Sequence, residues 1–115
     1  MHIIHFGLDA IFTALASANR RKLLDALYRR NGQALLDLCS SLDMSRQAAS
    51  KHLAILERAG LVVTVWRGRE KAHYLNPVPL QAIYERWIKK FEQKRLEAIA
   101  LLKASLEKEK ETSNE

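Results

Sequence analysis

The sequence is poor in the residues that cross-link or punctuate a chain, with one cysteine, two prolines and four glycines in 115 residues. The lone Cys39 excludes an internal disulfide framework and suits a reducing cytoplasm. Its simplest role is that of a small buried hydrophobe. No apolar run approaches the roughly 20 residues that a membrane span needs. The opening Met1-His2-Ile3-Ile4-His5-Phe6 lacks the basic region and cleavage site of a secretory signal. Repeats, low-complexity linkers and glycine-rich phosphate loops are also missing. What remains is the composition of a globular protein, 48% apolar and 28% charged, of a length that suits one domain. The expected domain covers residues 1–110, with a frayed polar tail over 111–115.

The charge is positive and unevenly placed. The formal net charge is +6, and residues 44–71 hold 6 Lys/Arg against 2 Asp/Glu. Residues 72–115 are nearly balanced, with 8 against 7. A local basic surplus attracts a polyanion and releases its counterions. It gains weight where it coincides with a structural motif.

Hydrophobic spacing predicts helix after helix, with one interruption. A first helix over about 8–16 places Leu8, Ile11, Phe12 and Leu15 on one face. A second, capped by Asn19, carries Leu23, Leu24, Leu27 and Tyr28 as its apolar stripe. Arg29 and Arg30 suit its negative end, and Gly32 its left-handed stop. A third helix over about 33–42 turns Leu35, Leu38, Cys39 and Leu42 inward. Asp43-Met44 makes a short turn. Ser45 then caps a fourth helix over about 46–59, closed by Gly60. Leu61 to Trp66 has a strand signature, Arg67 to Glu70 a turn, and Lys71 to Leu75 a return strand. Pro79 opens a last helix running to about residue 108. The expected fold is mainly α with a small β-hairpin wing, a winged helix-turn-helix in the order α-α-α-α-β-β-α.

Residues 33–59 carry the functional signal. Two amphipathic helices joined by so short a turn have helix-turn-helix geometry. On the second, Ala49, Leu53 and Leu56 recur at helical spacing and face the core. Arg46, Gln47, Ser50 and Lys51 are left on the outer face. Arg pairs with guanine, Gln with adenine, and Ser with either. Ala48 is small enough to allow close approach and contact with a thymine methyl. Ser45 and the helix N-terminus can hold a phosphate. Arg67 and Arg69 at the hairpin tip, with Lys71 beside them, suit the neighbouring backbone or a narrow minor groove. An ordinary solvated face is the competing reading of any one of these residues; their coincidence with the short turn argues against it.

The run Leu35 to Val62, with Ser45-x-x-x-x-Ser50-x-His52-Leu53 inside it, resembles the core of the arsenic-repressor (ArsR/SmtB) family. The approach Leu15-Ala16-Ser17-Ala18-Asn19-Arg20-Arg21-Lys22-Leu23-Leu24 and the Gly68-Arg69 wing with Tyr74-Leu75 are similar as well. The likeness covers about residues 8–76. It implies a homodimeric repressor that leaves DNA when an effector binds. Arsenic sensors of the family carry a thiolate cluster on the third helix. Here the corresponding earlier positions are Ala34 and Leu36, and only Cys39 falls on a cysteine position. Zinc and nickel sensors use His and carboxylates on the last helix, which here has no histidine. Glu85, Glu92 and Glu97 read as solvated charges, and His2 and His5 as surface or packed groups. No metal site within the chain and no cofactor are therefore expected, and the effector, small molecule or metal, is left open.

The last helix, about 30 residues, would run roughly 45 Å at 1.5 Å per residue. That overhangs a small domain with a radius of gyration near 13 Å. Its apolar stripe calls for a second copy to cover it, the alternative being a helix broken near Glu92–Lys94 and folded back on its own domain. The expected dimer interface comprises Ile11, Phe12, Leu15, Trp87, Phe91, Leu96, Ile99 and Leu102, with Ile3, Ile4 and Phe6 preceding it. Two reading helices would then sit about 34 Å apart and read a palindromic site. The expected partners are double-stranded DNA and a second copy, with no membrane. The alternative is a winged-helix protein–protein module without DNA readout. No enzyme is expected, because His52, His73, Cys39 and Ser50 make no evident pocket or triad.

Overall fold

A computed structural model describes residues 7–113. The expectations that fall on His2, Ile3, Ile4, His5 and Phe6 lie outside the described residues, as do positions 114–115. The chain forms two compact units, one through Leu80 and one from Gln81 onward.

The first unit runs α1 (Leu8–Leu15), α2 (Ala18–Arg29), β1 (Gln33–Ala34), α3 (Leu35–Leu42), α4 (Arg46–Arg58), β2 (Val62–Arg67) and β3 (Glu70–Leu75). It closes with the start of α5 (Val78–Ile83). The strands form one antiparallel sheet in the order β1-β3-β2. Leu23, Leu27, Leu38, Leu56, Leu61 and Val62 are fully buried, so α2, α3, α4 and β2 each contribute to the core of this unit. Burying each such side chain contributes about 1.5–3 kcal/mol against leaving it in water.

Several expectations are corrected by tertiary contacts. The cap of α2 is Ser17, whose hydroxyl accepts from the Arg20 amide at 3.3 Å, so Asn19 lies inside the helix. That helix ends because Arg30 turns extended, with φ −146° and ψ 99°. Gly32, at φ +81°, turns the chain two residues later rather than capping the helix. Tyr28 and Phe12 lie outward, Tyr28 with 79% exposure, while Ala14 takes the inward place on α1. Ile11 is 1% exposed, in the core of its own unit, and offers no surface to a second copy.

The third helix starts two residues late. Gln33 and Ala34 pair instead with His73 and Ala72. The Gln33 side chain is buried, and its amide nitrogen donates to Ala26 O at 3.0 Å and Arg30 O at 2.7 Å. Gln33 thus gives the Arg30 carbonyl at the helix end a partner, and adds a second donor to Ala26 O, which already accepts from the Arg30 amide. His73 Nδ1 donates to Gln33 O at 2.9 Å. Asn31 Oδ1 accepts from the Leu75 amide at 2.8 Å and extends the seam.

Asn76 latches the far end of the hairpin. Its amide nitrogen donates to Gly60 O at 2.8 Å, and its Oδ1 accepts from the Val78 amide at 3.2 Å where α5 begins. The second unit comprises the rest of α5, a π-helical turn (Tyr84–Ile88) and α6 (Lys89–Ser113). The Lys89 amide bonds to Tyr84 O, five residues back, which widens the helix there without ending it. The helix reaches Ser113, five residues beyond the expected 108. None of its residues between Lys89 and Glu111 is buried.

Candidate nucleic-acid interface

The turn between α3 and α4 is built by Asp43, whose left-handed backbone (φ 53°, ψ 50°) reverses the chain in a single residue. Aspartate tolerates this conformation better than most side chains. The Met44 amide then bonds Cys39 O at 3.1 Å. Ser45 is extended, with φ −67° and ψ 155°, and its hydroxyl accepts from the Ala48 amide at 3.1 Å. The fourth helix therefore starts where the sequence predicts.

Ala49, Leu53 and Leu56 fix one side of α4 in the core. Ser45, Arg46, Gln47, Ser50 and Lys51 are exposed on its first two turns, and Ala48 is half-buried. The side chains of Arg46, Gln47, Ser50 and Lys51 make no hydrogen bond or ion pair with other described residues. A rigid face thus presents donors and acceptors that the fold itself does not use.

His52 stands at the inner edge of this face. Arg20 reaches it, donating from a guanidinium nitrogen to His52 Nδ1 at 3.3 Å. A guanidinium has no acceptor, so Nδ1 is the unprotonated nitrogen. Arg20 also donates to Ala14 O at 2.8 Å and Thr13 O at 2.9 Å, satisfying the end of α1. Burial, then the charges of Arg20 and Lys51, push the His52 pKa below its ordinary 6.5. This clamp ties the α1–α2 corner to the base of the exposed face.

The wing differs in detail from its expected form. The turn is only Gly68-Arg69, because Arg67 and Glu70 still pair across the ribbon. Gly68 has φ +63°, which an unbranched backbone adopts without strain. Arg69 projects from the turn with no hydrogen bond or ion pair among the described residues. Arg67 folds back: its guanidinium donates to the Tyr74 hydroxyl and lies 5.6 Å from the Tyr74 ring centroid. Lys71 Nζ is 4.0 Å from Glu57 on α4. Glu57 also accepts from Thr64 Oγ1 at 2.9 Å. Sequence reasoning missed Glu57, a brace between α4 and the wing. The two-residue turn was the available signal, since its register puts Lys71 on the face of Thr64.

The remaining candidate groups are not brought together. No hydrogen bond joins any two of Cys39, Ser50, His52 and His73. Among the described residues no group of three or more His, Cys, Asp or Glu could hold a metal ion. Glu85 lies 3.9 Å from Lys89, and Glu92 lies 3.7 Å from Arg95, as exposed pairs within one helix. Nor is any described helix long and apolar enough to cross a membrane.

Residues 15–65 match a family model described as a helix-turn-helix domain. The chain is 40% identical over 86 residues to the uncharacterized HTH-type transcriptional regulator YuzN of Bacillus subtilis (strain 168), covering 70% of this chain and 94% of that protein. It is 32% identical over 93 residues to the arsenical resistance operon repressor of Escherichia coli (strain K12), covering 77% of this chain and 78% of that one. The chain belongs to the ArsR family of transcriptional regulators. Its fold agrees with a solved ArsR-like transcriptional regulator from Rhodococcus sp. RHA1, at 35% identity and a TM-score of 0.64 over 83% of this chain and 91% of that one. As an ArsR-family protein it carries the winged helix-turn-helix that regulators of this kind bring to DNA. The family match runs through α4, on which the Arg46, Gln47, Ser50 and Lys51 side chains make no hydrogen bond or ion pair among the described residues.

Proposed function

We propose that this ArsR-family protein is a cytoplasmic, homodimeric repressor that binds a palindromic operator, without being an enzyme. The N-terminal half of α4 enters the major groove, where Arg46, Gln47 and Ser50 meet base edges and Ala48 a thymine methyl. Ser45 and Lys51 hold phosphates at the groove wall, and Arg67, Arg69 and Lys71 of the wing bind the flanking backbone. The observation that carries this reading is the exposed set Arg46, Gln47, Ser50 and Lys51, whose side chains make no hydrogen bond or ion pair among the described residues and which Ala49, Leu53 and Leu56 back.

A second copy accounts for the apolar surface of the second unit. Phe91, Leu96, Ile99, Leu102 and Leu106 are all exposed on α6, and Trp87 on the turn before it. In the first unit Phe12 is exposed and Leu15 half-buried. A helix with so little of its apolar area covered gains more from a two-fold partner than from solvent. Two copies of α4 then read half-sites about one helical turn, roughly 34 Å, apart.

The test is a binding titration on duplex DNA from upstream of the protein's own gene, repeated across salt. Arg46→Ala and Gln47→Ala should relax base preference, each by about 1–3 kcal/mol of discrimination. Arg69→Ala should weaken all sequences alike and lower the salt slope by about one. Retained affinity for a protein partner with none for any duplex would refute this reading and favour the interaction-module alternative.

A further inference from the structure

The hairpin holds one large side chain to which neither the core nor the reading face gives a role. Trp66 is 67% exposed near the end of β2. The register pairs Trp66 with Lys71, Thr64 with His73 and Val62 with Leu75. Cross-strand partners share a face of the ribbon, and alternate residues share it too. Glu57 of α4 bonds Thr64 and meets Lys71, so this is the face turned toward α4. The Lys71 ammonium lies 6.0 Å from the Trp66 ring centroid. Lys71 thus stands between the indole, within cation–π range, and Glu57 of α4.

The surroundings of the ring decide what can cover it. The exposed apolar residues of the hairpin, Val63 and Val65, pair with Tyr74 and Ala72 on the opposite face. On its own face Trp66 neighbours Thr64 and Lys71, with Arg69 at the turn beyond. An apolar ring in a cationic, hydrogen-bonding frame does not fit a greasy protein groove. It fits the sugar–phosphate wall of a nucleic acid, which offers flat apolar sugar surface between anions. A buried tryptophan also supplies one N–H donor, which a phosphate oxygen can accept.

We propose that Trp66 is a DNA-contacting residue of the wing, its ring packed on the deoxyribose wall of duplex DNA beside the segment read by α4, and its indole N–H donated to a phosphate. Lys71 neutralises the adjoining phosphate. This rests on the reading of α4 as the DNA-binding helix. The contact reads no base, so it raises affinity for every duplex alike.

The experiment uses the full chain and a fluorescein-labelled duplex of random sequence at low salt, where backbone contacts dominate. Anisotropy measures binding, and acrylamide quenching reports the two tryptophans, Trp66 and Trp87. In the wild-type protein DNA should shield tryptophan from acrylamide, and in Trp66→Phe that DNA-dependent shielding should vanish. Trp66→Ala should weaken binding by roughly tenfold, the order expected for one lost apolar ring contact and one lost hydrogen bond. Trp66→Phe, which keeps a ring, should lose less. Thermal unfolding of both variants should match the wild type, because the ring is outside the core. If the wild type binds but its tryptophans stay as open to acrylamide as before, or if Trp66→Ala binds as tightly as wild type, the inference is overturned and the reading of α4 survives. If the wild-type anisotropy never rises, the reading of α4 itself fails and this inference falls with it.

Discussion

Replacing Ser45 separates what the start of α4 does for the fold from what it does for DNA. Ser45 accepts from the Ala48 amide at 3.1 Å in an exposed position. Alanine there leaves that amide to water, at a cost of about 1 kcal/mol. For a unit of this size, 1 kcal/mol lowers Tm by about 4–8 °C. Aspartate keeps the acceptor and adds a charge that the helix N-terminus favours, so Ser45→Asp should return Tm to the wild-type value or above. The same carboxylate sits where the account places a phosphate. Two unit charges at 4 Å repel by about 1 kcal/mol in bulk water and about 4 kcal/mol at a protein surface. Ser45→Asp should therefore bind DNA at least about fivefold more weakly while being the more stable protein. Thermal circular dichroism and fluorescence anisotropy on the same two variants give both readings. An aspartate variant that binds as tightly as wild type would show that the start of α4 does not face the DNA backbone.

Three further outcomes follow from the geometry. Gly32→Ala should destabilise more than Gly68→Ala in urea unfolding: both carry positive φ, which costs about 1–2 kcal/mol, but a Cβ at Gly32 would also meet the Tyr74 ring at 3.1 Å, whereas none lies within 4 Å at Gly68. Native His52 holds its proton less tightly than the unfolded chain, so its contribution is complete above pH 6.5 and declines as pH falls through that value; unfolding at neutral and mildly acidic pH should show a shallower loss in His52→Gln than in wild type. The double variant Ile99→Glu, Leu102→Glu changes two exposed residues of α6; it should sediment as a monomer with its thermal transition intact, and a dimer unchanged in mass would place the second copy elsewhere.

What the sequence disclosed was what is decided locally. The Ser45 cap, the register of Ala49, Leu53 and Leu56, and the turn at Gly68 depend on residues within a few positions of each other, so spacing and residue type sufficed. The strand at Gln33–Ala34 was hidden because its partner, His73, lies forty positions away, and a glutamine buried beneath a helix end looks like any polar residue in a row. Asn19 lost the cap to Ser17 because both are good caps and only the packing of α2 chooses between them. Ile11 looked available to a partner since periodicity marks an apolar face without saying which part of it the chain itself covers. In the candidate site, the residues of α4 could be named from sequence. The Arg20–His52 clamp and the Glu57–Lys71–Trp66 chain could not, because each joins elements whose approach only the fold determines.

The most direct measurement is a backbone amide NMR titration of isotope-labelled protein with its upstream duplex. If α4 and the wing grip DNA, the expected result is that the amides of residues 45–51 and of the wing tip shift and broaden as DNA is added, while those of the buried side of α2 hold still. Shifts gathered on α6 with the first turns of α4 unmoved would contradict it.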